Sequence, residues 1–335
     1  MANAPWQALL SPASGPRSAT ARALCTGFGA LWLLDGILLA EPRMFAKGMV
    51  ARVLAPATVG QPAWLGRFVS WCIHLYALHL VTFHVLLIAA QILAGLLLLA
   101  GARPVAARLG AALSVALGLG IWVCAEGLGQ VLTGEATALS GAPGPALLYV
   151  LGGAILLMDV VAGRPSLPRR SPVTWALSAV FALAAALQVN PRFFTPRGLS
   201  AVFAQSALAP QPGLFEAPPA WLRHAALTHA ASLNVAVVLA FALGAVAVHW
   251  MAARRVGLVA TVGLVALVLG LWWFGEDLGM PFNGMATDPN TAGPLLVLVL
   301  AGRAAERELA TGRASPRTPP AGPEAGAEGP PWGGL

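Results

Sequence analysis

Apolar residues run along this chain in long blocks, such as 85–102, 109–125 and 256–275, with short clusters of arginine, glycine and proline between them. Each block approaches the ~20 residues that an α-helix needs to cross ~30 Å of hydrocarbon. Windows of that kind predict helices over 23–40, 74–100, 106–125, 145–162, 173–189, 226–250, 256–275 and 293–309. The expectation is an all-α membrane protein with about eight transmembrane helices.

The pattern then repeats itself. Ile121 to Gly129 (IWVCAEGLG) stands against Leu271 to Gly279 (LWWFGEDLG) at an offset of 150, and the same offset pairs Gly134 with Gly284 and Ala136-Thr137 with Ala286-Thr287. Upstream it pairs Trp71 with Trp221, His74 with His224, His79 with His229, and His84 with Asn234. At 149, Pro42-Arg43 meets Pro191-Arg192, Gly144-Pro145 meets Gly293-Pro294, Asp35 meets Ala184 and Asp159 meets Glu308. A repeat sought before anything else is interpreted changes the reading of the whole fold. An even number of spans per copy makes the expected arrangement two parallel four-helix repeats, related by an axis along the membrane normal.

The expected organisation is a flexible cytoplasmic N-terminus over 1–22, repeat 1 over 23–162, a linker over 163–172, repeat 2 over 173–310 and a disordered tail over 311–335. The tail holds six prolines and six glycines in 25 positions, too little apolar content to offset the entropy of ordering. Residues 1–20 lack a continuous apolar core and do not read as a cleaved signal peptide, so the first helix is expected to be an anchor. The stretches 41–73 and 190–225 read as long loops with short amphipathic or re-entrant segments.

Composition agrees with lipid as the solvent. Of 335 residues, 58% are hydrophobic and 10% charged, against roughly 45–50% and about 25% in an ordinary soluble domain. The net charge of +7 does not point to nucleic acid, because the basic residues are scattered between apolar blocks rather than gathered on one stripe. Thirteen of the twenty fall on one side of the expected topology. By the positive-inside tendency, both termini are expected in the cytoplasm, with the chain integral to a plasma membrane of the bacterial inner-membrane type. Cys25, Cys72 and Cys124 have no metal-type spacing. Cys72 and Cys124 fall at neighbouring helix ends, with Leu222 and Phe274 as counterparts, and apolar packing is the favoured reading. The tryptophans, Trp32 and Trp122 among them, mostly sit near helix ends, as in an aromatic belt.

Ionisable groups within a bilayer cost about 2.5–3.5 kcal/mol each on insertion scales and so need a reason. Glu126 and Glu276 end the third helix of each copy, ahead of Gly-Leu-Gly and Asp-Leu-Gly. They are either solvated helix ends or carboxylates in a pocket under a glycine-rich loop, with Asp277 beside the second. His79 and His229 lie on the same side, and Asp35 interrupts an apolar stretch. The candidate pocket residues are therefore Glu126, Glu276, Asp277, His79, His229 and Asp35, with no catalytic residue assigned. A metal site is disfavoured, because the histidine pairs are five apart, which turns them about 140° around a helix.

The four-span unit, with its long loop after the first helix and Leu96 to Ala107 (LLLLAGARPVAA) joining the second and third helices, resembles the DoxX-like membrane proteins. The likeness covers residues 23–162 and, more faintly, the second copy. It implies a membrane accessory or subunit of a redox system, with quinone as the open cofactor and other membrane subunits as partners, and it transfers no functional residue. The leading expectation is a non-enzymatic accessory or binding protein with polar pockets on the outer side. A small-solute transporter and a quinone-linked oxidoreductase subunit are the rivals.

Overall fold

The computed structural model describes residues 18–161, 171–207, 212–253 and 255–314. Most of the expected flexible N-terminus, most of the linker and the tail from residue 315 lie outside the described residues. Among those described, the protein is helical and contains no strand.

Helix α1 spans Ala19–Leu39 and starts where the Ser18 hydroxyl accepts from the Ala21 N–H at 3.0 Å, satisfying an otherwise orphaned donor. Short turns over residues 42–58 lead to α2, Ala63–Leu78, and then to α3, Leu80–Leu99. Next come α4, Pro104–Cys124, and α5, Pro145–Val161, each opening on a proline whose missing N–H costs nothing in a first turn. The remaining helices are α6, Pro172–Gln188, α7, Pro196–Ala207, α8, Gly213–Ala247, α9, Gly257–Gly270, and α10, Ala292–Ala314. A π turn, Leu271–Gly275, continues α9.

Among the described residues, five helices are long and apolar enough to cross a membrane: α1, α3, α4, α8 with its closing turn (Gly213–Trp250), and α9 with its π turn (Gly257–Gly275). Shorter apolar helices occur at Pro145–Asp159 and Pro172–Gln188. Leu86, Leu96, Leu109, Leu239, Leu243, Leu258 and Val262 are all exposed on this set, an arrangement suited to hydrocarbon rather than water.

One expectation needs correction. The stretch 74–100 is not one helix, because His79 leaves helical geometry at φ −129°, ψ 46° and separates α2 from α3. His229 breaks α8 in the same way, at φ −131°, ψ 32°. The stretches 41–73 and 190–225, expected as long loops with short amphipathic or re-entrant segments, hold α2, α7 and the first part of α8. Their apolar residues have buried partners: Leu65 and Val69 pack with Ala57, and Leu199 and Phe203 join the main core.

In the first half α1 packs on α3 and α5, α3 on α4, and α4 on α5; in the second, α6 packs on α8 and α10, α8 on α9, and α9 on α10. The halves meet chiefly through α10 against α1. Small residues permit the close approaches. A Cβ on Gly95 would lie 2.8 Å from the Gly29 carbonyl of α1, and one on Gly118 3.0 Å from the Ala146 carbonyl of α5.

At one end of the bundle α10 caps two other helices. Glu306 accepts from the Thr174 hydroxyl at 2.6 Å and the Ser171 N–H at 3.3 Å, at the start of α6. Glu308 accepts from the Thr20 hydroxyl at 2.9 Å and from the Ala19 N–H, at the start of α1. These carboxylates meet the positive ends of the helices they cap. Arg303 is turned inward and donates to the Met251 carbonyl just beyond α8.

Candidate functional site

The opposite end carries the two loops that follow α4 and α9. Each leaves its helix through a left-handed turn of four residues. Gly127, Leu128, Gly129 and Gln130 have φ of 54°, 57°, 60° and 62°, and Asp277, Leu278, Gly279 and Met280 have φ of 50°, 54°, 78° and 54°. Left-handed geometry costs about 1–2 kcal/mol for each residue other than glycine. Gly129 has no alternative, because a Cβ there would lie 1.8 Å from the Pro143 carbonyl oxygen. The turn reverses the chain so that the glutamate just before it faces the start of the next helix.

Glu126 Oε1 accepts from the Ala146 N–H in the first turn of α5 at 3.1 Å, and Glu276 Oε2 accepts from the Ala292 N–H at the start of α10 at 3.0 Å. Neither is a solvated helix end: Glu276 is buried, and Glu126 is half-buried with its Oε2 sealed off and without a hydrogen-bond partner. Burial pushes the Glu126 carboxyl up to about 8, helped by Asp288 and opposed by the Ala146 N–H. Burial likewise raises Glu276 well above the carboxylate range, against the Ala292 N–H.

The first half encloses a cavity of about 560 Å³ that is mainly apolar and carries a few convergent polar groups. That size and character suit a small organic ligand. Helix α1 contributes Asp35, which is buried; Oδ2 accepts from the Tyr149 hydroxyl of α5 at 2.6 Å, and Oδ1 has no partner. The Tyr149 ring lies 4.3 Å from that of Trp32, whose indole N–H donates to the Ser114 hydroxyl at 2.9 Å. Helix α3 supplies His84, fully buried, with Nε2 2.8 Å from the Leu39 carbonyl and Nδ1 2.6 Å from the Tyr76 hydroxyl. A carbonyl only accepts, so Nε2 carries a proton, and in a neutral ring Tyr76 donates to Nδ1. Glu126 closes one end of the cavity, and Asp288 reaches it from the second half's loop. The Asp288 carboxyl is raised by burial, although the Thr287 hydroxyl at 2.6 Å and the Asn290 N–H at 2.7 Å hold it. Beyond Glu126 and Asp288 lies a second, more polar cavity of about 550 Å³ that includes Arg43 and Arg52.

Of the sequence-predicted residues, Asp35 and Glu126 come together on this cavity. Glu276 and Asp277 are buried beneath the loop of the second half and do not line it. His79 and His229 are exposed at the helix breaks, and the His79 ring lies 6.2 Å from that of Phe83 rather than in a pocket. The imidazole that does enter is His84. Trp32 is core, not belt, at 1% exposed, while Trp71, Trp175 and Trp250 remain on the surface. Cys72 and Cys124 approach to 2.9 Å between their sulfurs on the cavity wall.

The residues that sequence reasoning passed over are Tyr149, Tyr76, Gln91 and Asp288. One signal was available: the chain has only two tyrosines, and both line the cavity. Asp288 was not visible from its own neighbourhood, since it acts across the interface between the halves.

At five corresponding positions of the second half the residues of this site are replaced by apolar ones. Phe181 stands for Trp32, Ala184 for Asp35, Phe241 for Gln91, Leu264 for Ser114 and Leu298 for Tyr149. All five are buried core. Asn234 keeps the role of His84, donating to the Gln188 carbonyl at 3.0 Å as His84 does to that of Leu39.

Among the described residues, no group of three His, Cys, Asp or Glu side chains is arranged to hold a metal ion. Comparison with protein-family models, with curated proteins and with solved structures finds no match to this chain.

Proposed function

We propose that this is a membrane-embedded binding protein whose first half holds one amphipathic molecule, with an apolar body in the cavity and a hydrogen-bond-donating, cationic head against Asp35 and Glu126. The observation that carries this is the pair of carboxylates, Asp35 and Glu126, that line one largely apolar cavity and each keep one buried oxygen, Oδ1 and Oε2, without a hydrogen-bond partner. Buried acceptors of that kind call for a donor. A protonated amine supplies several donors at once, and its charge favours the ionised form of Glu126, which burial pushes up to about 8.

The architecture that best accommodates this is eight spans in two parallel four-helix repeats, with both termini in the cytoplasm of a bacterial-type cell and the loop end outside. Several facts favour the duplication. The packing order is the same in both halves, the left-handed turns recur 150 residues apart, and the helix breaks at His79 and His229 coincide. Each Pro-Arg pair also reaches across: Arg43 donates to the Asn283 carbonyl at 3.1 Å, and Arg192 pairs with Glu135. The DoxX-like resemblance fits an accessory role beside other membrane subunits.

The test uses the full chain in lipid nanodiscs and a bromine-labelled long-chain primary amine, whose heavy atom quenches the Trp32 indole on contact. Saturable quenching is expected. It should be lost in Trp32→Phe and weakened about tenfold or more in Asp35→Asn, the size of a charged hydrogen bond. Equal or tighter quenching by the matching bromine-labelled fatty acid would sink the reading.

A further inference from the structure

The cavity wall holds one feature that ligand binding leaves unused. Cys72 comes from α2 and Cys124 is the last residue of α4. Their sulfurs lie 2.9 Å apart, both thiols are free, and both residues are half-buried on the cavity lining. A bond of about 2.05 Å lies within a small side-chain movement of that position. Cys25 sits elsewhere, buried in the main core.

The pairing tracks the cavity. The counterparts of Cys72 and Cys124 are Leu222 and Phe274, in the same half that replaces the polar lining with core residues. Apolar packing would account for two small thioethers or aliphatics as well as it does for two thiols. It does not account for thiols meeting each other only where the cavity is open.

We infer that Cys72 and Cys124 form a dithiol–disulfide site that exchanges with a low-molecular-weight disulfide reaching the cavity wall. One cysteine, as thiolate, attacks a sulfur of the incoming disulfide, forming a mixed disulfide and releasing the first small thiol. The second cysteine, as thiolate, then attacks the protein sulfur of that bond and releases the second small thiol. The two protons lost by the cysteines end on the two released thiols, and two electrons pass from the protein pair to the small disulfide. The product ties α2 to α4 across the wall of the cavity. The reverse reaction with a dithiol frees α2 again.

The chemistry is independent of the amine assigned to the cavity, so the two readings fail separately. Purified full-length protein in nanodiscs is equilibrated with oxidised glutathione, quenched in acid and measured by intact-mass and peptide mass spectrometry. The expected product has lost two hydrogens, contains a Cys72–Cys124 cross-linked peptide and has an unreacted Cys25. Cys72→Ala and Cys124→Ala should each stop at the mixed disulfide, gaining one glutathione on the remaining cysteine. Dithiothreitol should return the wild type to the dithiol. If the wild type instead stays reduced, or carries separate glutathiones on both cysteines with no cross-link, the inference is overturned. Should either alanine variant fail to elute as a folded species, maleimide counting on the wild type decides alone. Two sites must become protected together, at the same glutathione ratio, and independent protection counts against exchange.

Discussion

At the residue scale the most informative group is Glu126. Its carboxyl titrates at about 8 in the folded protein, against 4.5 for an ordinary glutamate. A raised acid binds its proton more tightly folded than unfolded, so stability falls as pH rises wherever the unfolded chain has ionised and the folded one has not. That window runs from about 4.5 to about 8. Below it the group has no effect, and above it the full penalty is present. Glu126→Gln keeps an acceptor for the Ala146 N–H and removes the ionisation. Thermal melts should therefore show the variant gaining on the wild type across this window and matching it in acid. A variant that instead falls behind the wild type as pH rises would mean that the carboxyl is ionised in the fold. Glu276, which caps α10 the same way, keeps its own pH dependence in that variant. The presence of both glutamates was legible in the repeat, and their burial was not. Burial depends on the reversed loop bringing the start of the next helix over them.

At the element scale the left-handed turns decide where the loops go. Leu128 and Gln130 both sit at positive φ, and each adds strain that a glycine would not. Gln130→Gly should raise stability by about 1 kcal/mol, because this half-buried side chain makes only a 3.4 Å contact with the Pro56 carbonyl. Gly129→Ala should prevent folding, since its Cβ would overlap the Pro143 carbonyl. Elution profiles and melting curves of the two variants check the pair; a folded Gly129→Ala protein would show that the turn is not held. Periodicity located most helices within a few residues, α4 at Pro104–Cys124 against an expected 106–125 for example. It missed the breaks at His79 and His229 because a single non-helical residue does not alter the composition of a window. It left most of α2 within a long loop of short amphipathic or re-entrant segments, since Pro62, Arg67 and the exposed Trp64 and Trp71 mask the buried Leu65 and Val69.

At the scale of the whole molecule, the two halves pack their helices in the same order but differ in the residues that line or fill them. A buried polar network is costly unless fully satisfied, and in the first half Asp35 Oδ1 and Gln91 Oε1 are left without partners. In the second half Ala184 and Phe241, both buried core, fill the same places. The difference was present in the sequence as Asp35/Ala184 and His84/Asn234. The more acidic pair, Glu276-Asp277, lies in the half whose corresponding positions are filled by core residues. The exchange can be made in one protein: Asp35→Ala, Gln91→Phe and Tyr149→Leu together give the first half the second's residues. Removing the buried carboxylate and its hydroxyl partner in one step avoids orphaning either, and the phenyl ring fills space that is now empty. The triple variant should melt higher than wild type and lose quenching by the brominated amine. Asp35→Ala alone, which leaves the Tyr149 hydroxyl buried without its acceptor, should melt lower. If the triple variant still binds the amine with wild-type affinity, the ligand sits elsewhere, and the vestibule of Arg43 and Arg52 becomes the place to look. If it loses binding but melts lower than the single variant, the added ring does not fit the cavity, and the halves differ in backbone as well as in lining.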